Sequence, residues 1–151
     1  MEKQPHILFT GFKGIHNTSC QLVDRIQRTS LFLTNSFSGL KKDIDSVCES
    51  YDAVYMFGAD KNLFGQVRIE KCARLDDNTV YTDFHVTALY EAFLRKGIPC
   101  QISDCPTAYL CNSAYYQMLN KNKNSVFIHI PSIKGMNSKL MRDLADLFRE
   151  V

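Results

Sequence analysis

The sequence predicts a three-layer α/β/α fold with a mainly parallel central sheet. Short apolar runs alternate with segments whose apolar residues recur at helical spacing along the whole 151-residue chain. That alternation is typical of strands joined by crossover helices, which place helices on both faces of a sheet. The length suits one domain, and 45% hydrophobic with 23% charged residues is ordinary for a globular chain, so residues 1–151 are treated as one unit.

The first half of the chain contains three predicted strands and two predicted helices. Leu22, Val23 and Ile26 share one face of the first helix, and Leu40, Ile44 and Val47 share one face of the second. In chain order the elements are a strand over residues 5–10, a helix over 20–28, a strand over 31–37, a helix over 40–50 and a strand over 53–57.

The second half continues the same rhythm after one irregular segment. Residues 67–74 alternate only loosely, which predicts an exposed edge strand or an extended loop. Gly97 then ends a helix whose apolar residues lie in phase. The remaining predicted elements are a helix over residues 85–96, a strand over 98–102, a helix over 109–119, a strand over 126–130 and a helix over 137–149.

Charge and hydropathy exclude two classes of partner. Lys and Arg total 18 against 16 Asp and Glu, and these basic residues are scattered, whereas a nucleic-acid-binding surface needs them clustered. The apolar stretches fall far short of the ~20 residues of a membrane helix. The amino-terminal segment also lacks the apolar stretch of a signal peptide, so we expect a cytoplasmic protein without nucleic-acid or membrane partners.

The cysteines and histidines do not have the spacing of a metal site. Six cysteines include no Cys-x-x-Cys pair, and no two of the four histidines stand three or four residues apart. In a cytosolic protein we expect the cysteines to be free thiols. A redox role for Cys105 and Cys111 is disfavoured because they are six positions apart.

Four groups of residues follow predicted strands, where ligands bind in parallel sheets. They are Phe12, residues 58–65, residues 103–111 and His129. A parallel sheet would bring these separate segments into one crevice.

Cys111 is the most informative of these residues because it lies near the start of a predicted helix. Unpaired N–H groups and the positive dipole end at a helix N-terminus lower a thiol's pKa. If the helix begins at Pro106, Cys111 lies a turn too deep for this effect; a start near Tyr109 places it well. Taken alone, a cysteine on an apolar helix is more often a packing residue.

His129 and Glu70 each have a structural and a catalytic interpretation. His129 lies in an apolar strand, either as a core histidine with one hydrogen bond or as a general base. Glu70 has basic neighbours, so it is either a solvated carboxylate in surface ion pairs or the group that orients an imidazole.

The contexts of these three residues together resemble the pyroglutamyl peptidase family of cysteine peptidases. ILFTGF looks like that family's opening strand and Gly-Phe turn, RIEKCA like its glutamate segment, GIPCQISDCPTAYLCNSAYY like its nucleophile segment and FIHIP like its histidine segment. The order Glu, Cys, His is also the same. The best-matched stretch covers residues 98–116, with weaker similarity over most of the chain.

The resemblance implies a phosphorylase/hydrolase-like α/β fold and a cysteine exopeptidase that removes N-terminal pyroglutamyl residues from small peptides. Cys111 would be the nucleophile, His129 the general base and Glu70 its orienting partner, with no cofactor and no metal. Arg74 resembles the family's arginine near the oxyanion site. The resemblance leaves the assembly open, with a homo-oligomer among the alternatives.

The segments that would form the substrate pocket depart from the family pattern. The turn after the first strand reads GFKGIHN, which retains Phe12, places Ile15 where the family has a second aromatic residue, and includes Asn17 as a further candidate substrate contact. Pro106-Thr107 replace an Ala-Gly pair, and GADKNLFG replaces a glycine-rich loop. Losing pocket hydrogen bonds weakens discrimination between substrates, so the substrate is expected to have changed or relaxed.

Two other classes of function stay open. The altered pocket fits a catalytically inactive or respecialised member that binds a small molecule or a protein. A flavodoxin-like or response-regulator domain shares this length and alternation, but the first strand is followed by GFKG, without an acidic cluster or a phosphate-binding loop.

Overall fold

The computed structural model describes residues 4–106 and 109–151, so Thr107, which the sequence placed in an altered pocket segment, lies outside the described residues. The strands are β1 (Ile7–Phe12), β2 (Ser30–Leu33), β3 (Ala53–Asp60), β4 (Val67–Glu70), β5 (Cys72–Leu75), β6 (Asn78–Tyr81), β7 (Cys100–Ser103) and β8 (Ser125–Pro131). The helices are α1 (Thr18–Ile26), α2 (Phe37–Asp45), α3 (Val86–Arg95), α4 (Leu110–Lys121) and α5 (Ser138–Arg149).

A six-stranded sheet in the order β2-β1-β3-β8-β4-β7 forms the centre of the molecule. Neighbouring strands are parallel except at β8 and β4, which pair antiparallel. Helices cover both faces, α1, α3 and α5 on one and α2 with α4 on the other, each burying its apolar residues against the sheet. The three-layer α/β/α fold with a mainly parallel sheet is therefore confirmed.

Side-chain caps explain where several helices begin. Asn17 accepts a hydrogen bond from the Ser19 amide at the start of α1, and Asn137 accepts one from the Leu140 amide at the start of α5. Ser36 accepts one from the Gly39 amide, so α2 begins at Phe37. The strand predicted over residues 31–37 consequently ends at Leu33, because its last residues form this cap and the first turn of α2.

The interpretation of residues 67–74 as an exposed edge or loop is wrong. β4 lies between β8 and β7, and its Val67 and Ile69 side chains are fully buried in the core. The loose alternation reflects two short strands, since β5 turns away to pair with β6 as an antiparallel hairpin. The hairpin lies on the same side as α4 because Ala73 and Val80 join that core cluster.

The expectation that all strand ends meet at one edge also needs correction. Since β4 runs antiparallel to β8, β4 and its parallel neighbour β7 end at the opposite edge from β3 and β8. Residues 103–106 therefore do not follow a strand at the edge where β3 and β8 end. Cys111 reaches that edge through the first turn of α4, which begins at Leu110.

Candidate active site

A cleft of about 420 Å³ opens where β3 and β8 end, beside the first turn of α4. Its size suits a small ligand or the end of a peptide rather than a large cofactor. The described residues that line it are Phe37, Ala59, Asp60, Lys61, Asn62, Tyr109, Leu110, Cys111 and His129. The structure thus brings the residue 58–65 segment, Cys111 and His129 together, as the sequence predicts.

His129 and Glu70 form a buried hydrogen-bonded pair. His129 lies on β8 with 5% of its surface exposed, and its Nδ1 is 3.0 Å from Oε1 of Glu70, which is 4% exposed on β4. In the antiparallel register Glu70 faces Phe127 and Arg68 faces His129, so these side chains share one face of the sheet. Glu70 is therefore not a solvated surface carboxylate.

Bonding of Nδ1 to a carboxylate has a chemical consequence for the imidazole. A carboxylate at Nδ1 favours the tautomer that carries its proton on that nitrogen, which leaves Nε2 free to accept a proton. His129 also lines the cleft beside Cys111. The arrangement is that of an oriented general base next to a thiol.

Cys111 occupies the first turn of α4, as the later of the two predicted helix starts requires. Space for its sulfur comes from Gly58 on β3, where a Cβ atom would lie 2.7 Å from Cys111 Sγ and 2.7 Å from Cζ of Phe127. Gly58 is also the register partner of His129. The absence of a side chain at Gly58 thus allows the sulfur to lie against the sheet next to His129.

The expectation that the helix terminus lowers the pKa of the Cys111 thiol is wrong for the unliganded site. Burial, together with the charges of Asp60 and Glu70, raises that pKa to about 12, and the Arg68 guanidinium opposes this rise. The thiol is therefore protonated at neutral pH in the unliganded site.

Sequence reasoning missed an ion-pair network beside this pair. Arg68 Nε donates to Glu70 Oε1 at 2.6 Å, and an Arg68 terminal nitrogen donates to Asp60 Oδ2 at 2.8 Å. The Arg68 side chain is 16% exposed, so these contacts are partly shielded from water. A signal existed in the sequence, since Arg68 and Glu70 are two apart on a strand and must share a face.

Asp60 links this network to the cleft. Burial alone would raise the pKa of its carboxyl, but hydrogen bonds from the Asn62 amide and from Arg68 hold that pKa below the usual value. Asp60 is therefore a carboxylate at neutral pH, and both of its oxygens have partners.

The four candidate substrate-binding residues lie outside the set of described residues that line the cleft. Phe12 is buried in the core cluster against which Cys111 packs. Asn17 caps α1, and Ile15 stands 81% exposed on the turn before it. Arg74 lies on the β5–β6 hairpin, where its Nε donates to Thr79 Oγ1.

Asn112 fastens that hairpin to the helix of Cys111. Its Oδ1 accepts from the Arg74 amide at 2.9 Å, and its Nδ2 donates to the Arg74 carbonyl at 2.6 Å. The side chain that follows the candidate nucleophile therefore docks β5 through both of its polar atoms.

Across the part of the chain that the structure describes, we find no group of three or more His, Cys, Asp or Glu residues that could hold a metal ion. In residues 4–106 and 109–151, no helix has the length and apolarity needed to cross a membrane.

The family model described as Pyroglutamyl peptidase matches residues 59–141, more than half of the chain and a span that includes Glu70, Cys111 and His129. The chain belongs to the pyroglutamyl peptidase family. The resemblance inferred from the sequence motifs is thereby confirmed.

Individual members of the family are similar over different extents. Pyrrolidone-carboxylate peptidase 1 from Saccharolobus solfataricus is 29% identical over 84 residues, which are 53% of this chain and 40% of that protein. The matched stretch thus spans less than half of the length of this curated relative.

Solved structures of family members share the fold over nearly the whole chain. Pyroglutamyl peptidase I from Bacillus amyloliquefaciens superimposes with a TM-score of 0.82 at 15% identity, covering 97% of this chain and 94% of that one. Pyrrolidone carboxyl peptidase from Fervidobacterium islandicum gives 0.80 at 20% identity, covering 97% and 96%. At these identities the similarity establishes the architecture.

Proposed function

We propose that this protein is a cysteine exopeptidase that cleaves the amide bond after an N-terminal pyroglutamyl or related acyl residue of a small peptide. The observation that carries the proposal is that Cys111 and His129 line one cleft, with Glu70 hydrogen-bonded to His129. Family membership supports a pyroglutamyl-like acyl group in the substrate, since the matching relatives are named for pyroglutamyl or pyrrolidone-carboxylate cleavage.

In the proposed reaction Cys111 Sγ attacks the carbonyl carbon of the scissile amide. The thiol proton passes to Nε2 of His129 as the carbon–sulfur bond forms, and Glu70 stabilises the imidazolium through Nδ1. Transfer that is concerted with attack suits a thiol whose pKa is raised to about 12, because a free thiolate is scarce at neutral pH.

The second half of the reaction reuses the same groups. The imidazolium gives its proton to the leaving amine as the carbon–nitrogen bond breaks, which leaves a thioester on Cys111. Water then attacks the thioester with His129 as base, releasing the acid and restoring the thiol. Unpaired N–H groups in the first turn of α4 are the candidate donors to the negatively charged oxygen of each tetrahedral intermediate.

The cleft wall gives a reason to expect an altered acyl preference. Asp60, Lys61 and Asn62 line the side formed by the end of β3 and the residues after it, and the exposed aromatic rings of Phe37 and Tyr109 stand at the other side. We propose that these residues, rather than a glycine-rich loop, contact the acyl group and set its preference.

A respecialised binding module is the alternative, and the altered substrate-pocket segments GFKGIHN and GADKNLFG favour it. A panel of four coumarin amides distinguishes the peptidase from the binding module. The amides share the coumarin leaving group and carry L-pyroglutamyl, L-prolyl, L-glutaminyl or N-acetyl-L-alanyl as the acyl group, and Cys111→Ala is the matched control. The proposal predicts that the wild type releases coumarin from the pyroglutamyl amide and that Cys111→Ala does not. Cysteine-dependent release from another amide only would mean a changed acyl class, and no release from any amide would contradict the peptidase and leave the binding module.

A further inference from the structure

The Arg68 guanidinium joins three parts of the site that come from different strands. It lies on β4 opposite His129 in the register, donates to Glu70 on its own strand, and donates to Asp60 at the end of β3. A guanidinium is planar with donors in fixed directions, so Arg68 contacts both carboxyl groups at once through separate nitrogens.

The Glu70 carboxyl group has few other hydrogen-bond partners. Oε1 accepts both the Arg68 and the His129 contacts, while Oε2 is buried and has no hydrogen-bond partner within the described residues. A buried carboxyl group is costly unless it is paired, so the hydrogen bond from Arg68 offsets the burial of Glu70 beside His129.

Arg68 also affects the electrostatic surroundings of Cys111. Asp60 and Glu70 both disfavour a thiolate at Cys111, and Arg68, bonded to both of them, favours it. Among the described residues, the titratable and charged groups around His129 are Glu70 and Arg68 on β4, Asp60 at the end of β3 and Lys61 after it, Cys72 on β5, and Cys111 and Tyr115 on α4.

We propose that Arg68 is a positioning residue of the active site, which fixes the Glu70 carboxylate against His129, ties it to the cleft wall through Asp60, and offsets the two carboxylates beside Cys111. The inference rests on the proposed function for its kinetic consequence. Its electrostatic consequence is measurable without any substrate.

Alkylation of Cys111 by iodoacetamide at about pH 9, followed by peptide mass spectrometry, reads the thiolate fraction directly. We expect Arg68→Gln to slow labelling of Cys111 about threefold or more, because two carboxylates are left unopposed. Asp60→Asn should accelerate it by a similar factor, and Arg68→Lys, which keeps the charge, should stay within about twofold of the wild type.

Opposite shifts distinguish this role from a merely structural one. If Arg68 and Asp60 only hold the fold together, both Arg68→Gln and Asp60→Asn loosen the site and accelerate labelling of Cys111. That result, or an unchanged rate in Arg68→Gln, overturns the proposal. If Arg68→Gln does not fold, the Cys111 labelling rates of Asp60→Asn and Arg68→Lys are compared instead. Equal acceleration of labelling in these two variants overturns the proposal.

Kinetics supplies the second readout. In an active wild type we expect Arg68→Gln to lower kcat/KM about tenfold, mainly through kcat, with partial rescue by Lys. A wild type inactive on every amide contradicts the proposed function, whereas the alkylation rates still decide the role of Arg68.

Discussion

Nδ1 of His129 lies 3.0 Å from Oε1 of Glu70 across the antiparallel junction of the central sheet, and both side chains are buried. Two distant parts of the chain meet here because β4 enters the sheet between β8 and β7 in the reverse direction. The geometry joins a carboxyl oxygen to Nδ1, which in the proposed reaction is the ring nitrogen that takes no part in proton transfer.

Replacing Glu70 with Gln tests this relationship. The amide keeps the size of the side chain but removes the charge that stabilises an imidazolium and that favours the tautomer with Nδ1 protonated. We expect kcat/KM on a hydrolysed amide to fall by about a thousandfold or more. Circular dichroism and thermal unfolding should show that the variant stays folded, and kcat/KM within tenfold of the wild type would exclude the orienting role.

A methyl group at Gly58 should damage the site more than the fold. In Gly58→Ala the new Cβ would lie 2.7 Å from both Cys111 Sγ and the Phe127 ring, so the sulfur must move. We expect a loss of about 1–3 kcal/mol in unfolding free energy and of about 100-fold in kcat/KM.

The matched control for that change is Gly97→Ala, at the end of α3. Gly97 has a φ of +78° with open space around it, so alanine there costs about 1–2 kcal/mol of backbone strain away from the cleft. Its kcat/KM should equal that of the wild type. Equal losses of activity in the two variants would mean that Gly58 matters only through stability.

Asn112→Ala should loosen the β5–β6 hairpin, which Ala73, Val80 and the Asn78–Tyr116 hydrogen bond also hold against α4. It removes both hydrogen bonds to the Arg74 backbone, each worth about 1 kcal/mol, so local opening becomes about tenfold or more easier. Trypsin cleavage after Arg74 under native conditions measures this opening. An unchanged cleavage rate would show that other contacts hold the hairpin.

The raised pKa of the partly buried Cys111 thiol also predicts an alkaline loss of stability. Its folded-state pKa is about 12, above the ordinary value of 9.0, so the unfolded chain loses this proton first as the pH rises. The stabilisation is complete below about pH 9 and is lost between about pH 9 and 12, at about 1.4 kcal/mol per pH unit. Chemical unfolding from pH 8 to 11 should give a shallower decline for Cys111→Ala, and parallel curves would contradict this.

The alternation of strands and helices could be predicted from sequence because each helix carries one continuous apolar face. The position of β4 could not, because four residues do not indicate whether a strand lies at an edge or in the interior, or in which direction it runs. The end of β2 could have been predicted, because Ser36 is a residue type that caps helices and a helix that begins after it leaves no room for a strand to residue 37.

The candidate site shows the same division. Glu70, Cys111 and His129 were identified from the resemblance of their local segments to one family, and the structure brings Cys111 and His129 into one cleft and pairs Glu70 with His129. Asp60 and Arg68 were missed because their importance depends on burial and on strand order. The raised pKa of Cys111 was missed for a related reason. A sequence shows that a cysteine lies near a helix N-terminus, whose dipole lowers a thiol's pKa, but it does not show the desolvation that raises that pKa.

The most direct test of the account is to trap the acyl-enzyme. Wild-type protein mixed with a pyroglutamyl coumarin amide, quenched in acid within one turnover and digested, is examined by mass spectrometry for a thioester. The account predicts a pyroglutamyl thioester on the peptide that contains Cys111, and none on the other cysteines or in Cys111→Ala. Product formation without a thioester at Cys111, or equal product from Cys111→Ala, would contradict the claim that Cys111 is the nucleophile.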